Sequence, residues 1–116
     1  MENESLKAAQ LIAAAASDKK ARDIVLLNME ELTIATDYFV ICSANSPTQV
    51  RAVADNIEEK MAEAGRPFLH KEGYREGSWV LLDFGSCVAH IFVQEQREYY
   101  ALEQLWNEAP LTVYED

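Results

Sequence analysis

Two strongly apolar segments, separated by only two residues, constrain the fold of this chain more than any other feature. The segments 78–84 (SWVLLDF) and 87–93 (CVAHIFV) are rich in the branched and aromatic residues that are typical of β-strands. The intervening Gly85-Ser86 suits a type II′ turn, which places glycine first in a two-residue loop. The sequence therefore predicts an antiparallel hairpin, and the loop length determines which residues lie opposite each other.

The hairpin register divides the side chains between two different faces. One face is uniformly apolar and is expected to pack beneath a helix, and it holds the pairs Phe84–Cys87, Leu82–Ala89 and Val80–Ile91. The other face mixes large apolar groups with a carboxylate and an imidazole, in the pairs Asp83–Val88, Leu81–His90 and Trp79–Phe92. Such a mixture is unusual for a pure core and for a solvated face, and it favours a protein-binding surface. A second helix-covered face, in which Asp83 and His90 satisfy each other or a loop, stays open.

The clearest helix boundaries lie at Ser46 and Gly65. Ser46 is a candidate N-cap, Pro47 suits the first helical position, and Gln49 completes a Ser-x-x-Gln capping box. Gly65 stands at the expected C′ position, and Pro67 prevents the helix from continuing. An amphipathic helix is therefore predicted between these signals, with an apolar stripe of Val50, Val53, Ala54, Ile57, Met61 and Ala64.

The rest of the chain alternates helical and strand patterns. We expect an alanine-rich covering helix over 5–17, strands over 23–29, 37–43 and 68–70, and a closing helix over 95–107. The inner stripe of the closing helix is expected to contain Tyr99, Leu102, Leu105 and Trp106. Together with the hairpin, these elements predict an α/β domain with a single mixed β-sheet of about five strands flanked by helices. The length of 116 residues indicates one such domain, over 1–107, followed by a short and loosely held acidic tail over 108–116.

The charge balance restricts the partners of such a domain. With 20 acidic and 10 basic residues the formal net charge is −10, which repels a phosphate backbone and attracts basic proteins. We therefore expect no direct sequence-specific nucleic acid binding, although solubility alone explains the charge equally well. No apolar run approaches the roughly 20 residues of a membrane span. Acidic residues lie close to Met1, where a targeting peptide has basic residues. This indicates a cytoplasmic protein without membrane attachment.

Signatures of the common catalytic chemistries are missing from the sequence. Cys42 and Cys87 lie inside apolar runs, as expected of buried, reduced thiols. Cys87 and His90 are three residues apart on a predicted strand and should face opposite ways, which argues against a metal site. No glycine-rich phosphate loop occurs, and Asp37 and Asp83 are each alone, so the carboxylate pair of nucleotidyl transfer is missing. We predict no enzyme activity, no metal and no cofactor.

Several motifs, in order along residues 6–106, are together more specific than any one of them. They are Asp37-Tyr38-Phe39-Val40-Ile41-Cys42, the helix entry from Ser46 to Val50, Ala54-Asp55, Trp79-Val80-Leu81-Leu82-Asp83-Phe84-Gly85, His90, and Tyr100-x-Leu102-Glu103-x-Leu105-Trp106. This series resembles the ribosomal silencing factor family (RsfS, or Iojap-like proteins). One departure is Ala44-Asn45-Ser46, where relatives often have a glycine.

The resemblance implies a fold like that of nucleotidyltransferases without their catalytic carboxylates. It implies a non-enzymatic protein that binds the large ribosomal subunit through its fourteenth protein, at the face where the subunits join. Occupying that place would sterically block the small subunit and repress translation when nutrients are limiting. A role in late assembly of the large subunit and a homodimeric state when free are also implied.

The same resemblance assigns the residues that would contact the ribosome. They are Trp79, Leu81, Asp83, His90, Phe92 and Tyr100. Trp79 would be the buried anchor, with Leu81 and Phe92 on either side. Asp83 would accept hydrogen bonds or meet a basic side chain, and His90 would orient Asp83 or donate across the interface. Tyr100 would reach the same edge, with core packing as an equally open alternative, whereas Trp106 is expected in the core beside Leu102.

Two alternatives from other functional classes stay open. The first is a nucleotide-binding remnant of a nucleotidyltransferase, which rests only on analogy between folds. The second is a dimeric scaffold without a ribosomal role.

Overall fold

One mixed sheet forms the middle layer of the fold in this computed structural model, which describes residues 3–115. Its six strands are β1 (Arg22–Asn28), β2 (Tyr38–Ala44), β3 (His70–Glu72), β4 (Trp79–Asp83), β5 (Cys87–Val93) and β6 (Leu111–Val113). They lie in the order β3-β4-β5-β2-β1-β6, with β2 and β5 parallel and every other neighbouring pair antiparallel. The predicted α/β fold with a mixed sheet is therefore confirmed, with six strands where about five were expected.

The helices are α1 (Glu4–Asp18), α2 (Pro47–Glu63), α3 (Gln94–Tyr100) and α4 (Leu102–Leu105). Within residues 3–115, no helix has both the length and the apolar character needed to cross a membrane. Met1, Glu2 and Asp116, at the outer ends of the predicted domain and tail, lie outside the described residues.

The start of α2 follows its sequence at the N-cap Ser46, whereas Gln49 bonds the residue before the N-cap and not the N-cap itself, as a full capping box would. The Ser46 hydroxyl accepts the Gln49 backbone N–H at 3.1 Å, and Gln49 Oε1 accepts the Asn45 N–H at 2.7 Å. The Gln49 amide nitrogen also donates to the carbonyls of Lys19 and Lys20, just beyond the end of α1. One side chain therefore caps α2 and fixes it against α1, which aligns the two helices that cover the same face of the sheet.

The face beneath α1 and α2 is a closed apolar core. The hairpin register matches the expected one, with Val80 opposite Ile91 and Leu82 opposite Ala89, all of them buried. Gly85 has φ +88°, as the first position of a type II′ turn requires. Alanines dominate the buried side of α1, which lets that helix approach the sheet closely.

The predicted closing helix is broken in two. Ala101 has φ +49° and separates α3 from α4. The expected inner stripe is therefore wrong for Tyr99 and Leu105, which are exposed, and right for Leu102 and Trp106, which pack against the sheet. A continuous helix would fix all four on one stripe, whereas the left-handed residue turns the second segment relative to the first.

The segment predicted to be a loosely held tail instead supplies the sixth strand. β6 pairs antiparallel with β1, with Leu26 opposite Thr112, and the Tyr114 N–H donates to the Ile24 carbonyl at 2.9 Å. Ala109, just before this strand, is buried. The expectation of a loose tail is therefore wrong, because the outer edge of β1 offers backbone groups that these residues satisfy. The short strand predicted at 68–70 lies slightly later, at His70–Glu72.

Candidate functional site

The second face of the sheet, opposite α1 and α2, is only partly covered. Its buried centre consists of Val25, Leu27, Met29, Ile41, Phe92 and Ala109. Around this centre lie partly buried rings, among them Phe39, Trp79 and Trp106. The short helices α3 and α4 leave the β4 side of this face open, since Trp79, Leu81 and Asp83 all retain solvent exposure.

The site residues predicted from the sequence lie together on this face. Trp79, Leu81 and Asp83 alternate along β4, and Trp79 pairs with Phe92 while Leu81 pairs with His90. These cross-strand pairs are the ones predicted from the two-residue loop.

Tyr100 is the one predicted site residue that lies outside the sheet. It lies at the last position of α3, and its ring centroid is 4.6 Å from that of Trp79. The Trp79 ring in turn stacks on Phe92 at 4.8 Å. Tyr100 is 45% exposed, so it belongs to the surface and is not core packing.

Two aromatic residues of the site were not among the site residues predicted from the sequence. The Phe39 ring lies edge-on to His90 at 4.6 Å, and Trp106 lies edge-on to Phe39 at 6.2 Å. We call the resulting surface the aromatic face, and it consists of Phe39, Trp79, Leu81, Asp83, His90, Phe92, Tyr100 and Trp106. The alternation in β2 puts Phe39 and Ile41 on one side, but only the parallel pairing of β2 with β5 shows which side that is.

The predicted residues differ in their access to a partner. Phe92 is fully buried and His90 is 4% exposed, whereas Trp79, Leu81 and Asp83 are partly exposed. The first two therefore form a supporting layer, and the remaining residues form the outer surface. The ring of Phe92 stacks with those of Trp79 and Tyr100, which in turn contact each other at a tilt, and these contacts orient the rings.

His90 makes its hydrogen bond with Trp79 and not with Asp83. The indole Nε1–H donates to His90 Nδ1 at 3.1 Å, so the neutral imidazole carries its own proton on Nε2. His90 Nε2 is buried and has no hydrogen-bond partner within residues 3–115. Burial lowers the pKa of His90 to about 4, so the ring is neutral near pH 7.

Asp83 has a local structural role at the end of β4. Its Oδ1 accepts the backbone N–H of Gly85 at 2.7 Å and so stabilises the hairpin turn. The second carboxylate oxygen accepts no hydrogen bond from another residue within 3–115, and Asp83 is partly exposed. The expectation that His90 orients Asp83 is not met, because the two side chains have separate partners.

Within residues 3–115, this face is accompanied by neither a metal-binding cluster nor an exposed thiol. Among the described residues, no group of three or more His, Cys, Asp or Glu side chains is arranged to hold a metal ion. Cys42 and Cys87 pack on the helix-covered face, away from His90. Burial raises the pKa of the Cys42 thiol to about 12 and that of Cys87 to about 11, which disfavours the nucleophilic thiolate.

Comparison with known proteins gives consistent matches over most of the chain. A family model described as "Ribosomal silencing factor during starvation" matches residues 2–116. Ribosomal silencing factor RsfS of Bacillus subtilis is 45% identical over 102 residues, covering 88% of this chain and 86% of that protein. The protein of the same name from Halalkalibacterium halodurans is 43% identical over 101 residues, covering 87% and 86%. A crystal structure of a Chromobacterium violaceum protein has a TM-score of 0.88 and 33% identity, covering 90% of this chain and 88% of that one.

Proposed function

The chain belongs to the ribosomal silencing factor family, a regulatory family and not one of enzymes, and from this we propose that it binds the large ribosomal subunit. The contact is with the fourteenth protein of that subunit, at the surface that the small subunit needs for joining. A bound silencing factor then blocks joining sterically and represses translation when nutrients are limiting. This activity belongs to the cytoplasm, where ribosomes work.

The observation that carries this proposal is the half-open aromatic face. Trp79, Leu81 and Tyr100 offer apolar area on the same side of the sheet as the carboxylate of Asp83, and the rings of Trp79 and Tyr100 pack on buried Phe92. Rigid aromatic groups that are already ordered lose little conformational entropy on binding, which is why such groups dominate interface energetics. The net charge of −10 adds long-range attraction for a basic ribosomal protein.

Within this interface the residues act in two layers. Trp79, Leu81, Asp83 and Tyr100 make the direct contacts. Phe92 and His90 support them from beneath. This division refines the prediction from the sequence, which assigns all six residues to the ribosomal contact while leaving open whether His90 orients Asp83 or donates across the interface.

The test is sedimentation of the protein with separated ribosomal subunits, followed by a subunit-joining assay. Tyr100→Ala and Leu81→Ala should each weaken binding by about 1–2 kcal/mol, and Trp79→Ala by about 2 kcal/mol or more. Phe68→Ala is the matched control, because Phe68 is a part-exposed ring that lines a hollow beside α2, away from the aromatic face. Folded Trp79 and Tyr100 variants that bind and block joining as the unaltered protein does would overturn the proposal.

We also propose that the free protein forms a homodimer through part of the same surface. Tyr99 and Leu105 are exposed next to the aromatic face and add apolar area to it. If the two interfaces overlap, dimerisation and ribosome binding compete by mass action. Light scattering should then show a concentration-dependent dimer that dissociates when large subunits are added, and a dimer that persists on the ribosome would contradict the overlap.

A further inference from the structure

The outer edge of β6 presents unused backbone groups. The Asn28 N–H donates to the Pro110 carbonyl, and the Tyr114 N–H donates to the Ile24 carbonyl, each at 2.9 Å. Hydrogen-bonded and non-hydrogen-bonded pairs alternate in an antiparallel ladder, so the backbone groups of Leu111 and Val113 point away from β1. Among the described strands, β6 has β1 as its single neighbour.

A groove runs along the same edge, between β6 and the broken helix. It has a volume of about 610 Å³, and the exposed side chains of Leu111 and Val113 line it. These two side chains lie beside Leu27 and Val25 in the ladder, on the face that α3 partly covers. An added strand would therefore gain apolar contacts on one side of its backbone hydrogen bonds.

The polar lining of this groove is acidic. Arg97 is already neutralised, since its guanidinium binds both oxygens of Glu103 at 3.0 and 3.1 Å. Asp23 and Glu98 also line the groove, and neither forms an ion pair with another described residue. Gln94 adds a side-chain oxygen, Oε1, that is buried without a hydrogen-bond partner among the described residues. The groove thus offers two uncompensated negative charges and a spare acceptor.

We propose that this edge binds an extended, basic segment of a partner protein by strand addition. The outward N–H and C=O groups of Leu111 and Val113 pair with its backbone, its aliphatic side chains pack against these two residues, and its lysine or arginine side chains meet Asp23 and Glu98. The short length of β6 makes it selective for a complementary segment, because few backbone bonds form without help from side chains.

A second copy of this chain is a poor occupant of the same edge. The residues around β6 include Glu108 and Glu115, so that two antiparallel copies would bring acidic segments together. A basic segment has the opposite sign and avoids this repulsion. The proposal is also independent of ribosome binding by the aromatic face, because it depends on β6 and on Asp23, Gln94 and Glu98.

The test uses the full chain with a short lysine–valine peptide, Lys-Thr-Val-Thr-Val-Thr-Lys, whose lysine and valine side chains share one face of an extended strand. A glutamate–valine peptide is the charge control, and a lysine–valine peptide with methylated backbone nitrogens is the hydrogen-bond control. Calorimetry should detect binding of the first peptide and not of either control. Amide hydrogen exchange at Leu111 and Val113 should slow in its presence.

Variants of β6 then separate strand addition from simple charge attraction. Val113→Pro removes one outward N–H and should weaken peptide binding about tenfold. Val113→Lys retains that N–H and should weaken peptide binding as well. If the proline variant fails to fold, the lysine variant alone tests the proposal. Thr112→Ala is the matched control, because the Thr112 backbone faces β1 and its side chain lies on the other face of the sheet.

Asp23→Asn tests the charge. Asp23 has φ +51°, a conformation that asparagine tolerates, so the backbone is preserved while one carboxylate is lost. Binding of the lysine–valine peptide should fall about threefold.

No binding at millimolar peptide, equal binding of either control peptide, or binding that both Val113 variants leave unchanged would overturn the proposal. The proposal would also be overturned if the protein does not bind the peptide but self-associates, and if Val113→Lys abolishes that self-association.

Discussion

The indole N–H of Trp79 donates to Nδ1 of His90 across 3.1 Å, from one strand of the hairpin to the other. This bond fixes two properties of the aromatic face at once. It orients the partly exposed indole of Trp79, and it sets the tautomer of the buried imidazole, whose remaining N–H has no partner among the described residues. A residue pair that orients a binding surface in this way should be coupled energetically.

A double-mutant cycle measures that coupling. Trp79→Phe removes the donor and keeps a ring, while His90→Leu removes the acceptor and keeps the apolar volume. The coupling in the free energy of unfolding should be about 1 kcal/mol, which is typical of a single hydrogen bond within a protein. Denaturant titration of the four proteins supplies the value, and strict additivity would show that the bond contributes nothing to stability.

Stability should depend on the protonation of His90. Burial lowers its pKa in the folded protein from 6.5 to about 4, so the unfolded chain binds a proton that the folded protein rejects. The contribution of this group is fully present above about pH 6.5 and is lost progressively as the pH falls towards about 4. The full loss is on the order of 3 kcal/mol. Urea unfolding between these pH values should show a fall that is smaller in His90→Leu, and parallel profiles would contradict this origin.

The two cysteines should resist alkylation in the folded protein. Burial raises the pKa of both thiols, so the reactive thiolate is scarce and inaccessible. Iodoacetamide should therefore modify Cys42 and Cys87 only at the rate at which the chain opens. Mass spectrometry of time courses with and without urea gives both rates. Rapid labelling of either residue in native buffer would contradict the packing described for it.

Glycine at position 73 should be required for the position of Trp79. Gly73 has φ +81°, and a Cβ added there would overlap the backbone carbonyl of Trp79. Gly65 is the matched control, since it has φ +79° with open space around it. We expect Gly73→Ala to cost about 3 kcal/mol and Gly65→Ala about 1 kcal/mol, the latter from backbone conformation alone. Thermal unfolding compares the two, and tryptophan fluorescence should shift only in the Gly73 variant.

Local signals accounted for much of the fold. The hairpin register follows from two loop residues, and the start of α2 follows from Ser46, Pro47 and Gln49, all close together in sequence. Such features depend on nearby residues only, so the sequence is sufficient to predict them. The site residues on β4 and β5 were predictable for the same reason, because period-2 alternation assigns them to one face.

Features that depend on distant contacts were missed. Phe39 joins the site only through the parallel pairing of β2 with β5. The helix break at Ala101 occurs without a glycine or proline, the residues that usually mark such a break in a sequence. It is accompanied by the ion pair between Arg97 and Glu103. β6 is three residues long and becomes a strand because β1 offers it an edge. Each of these needs knowledge of the assembled sheet.

The sheet separates two kinds of structural role. Its α1–α2 side is filled mainly by small and aliphatic groups, while its other side displays partly exposed rings. Side chains on opposite sides of a strand do not touch, so substitutions on one side should combine almost additively with those on the other. Descendants of this chain could therefore acquire a new binding preference by altering Tyr100 or Leu81 while keeping the same scaffold.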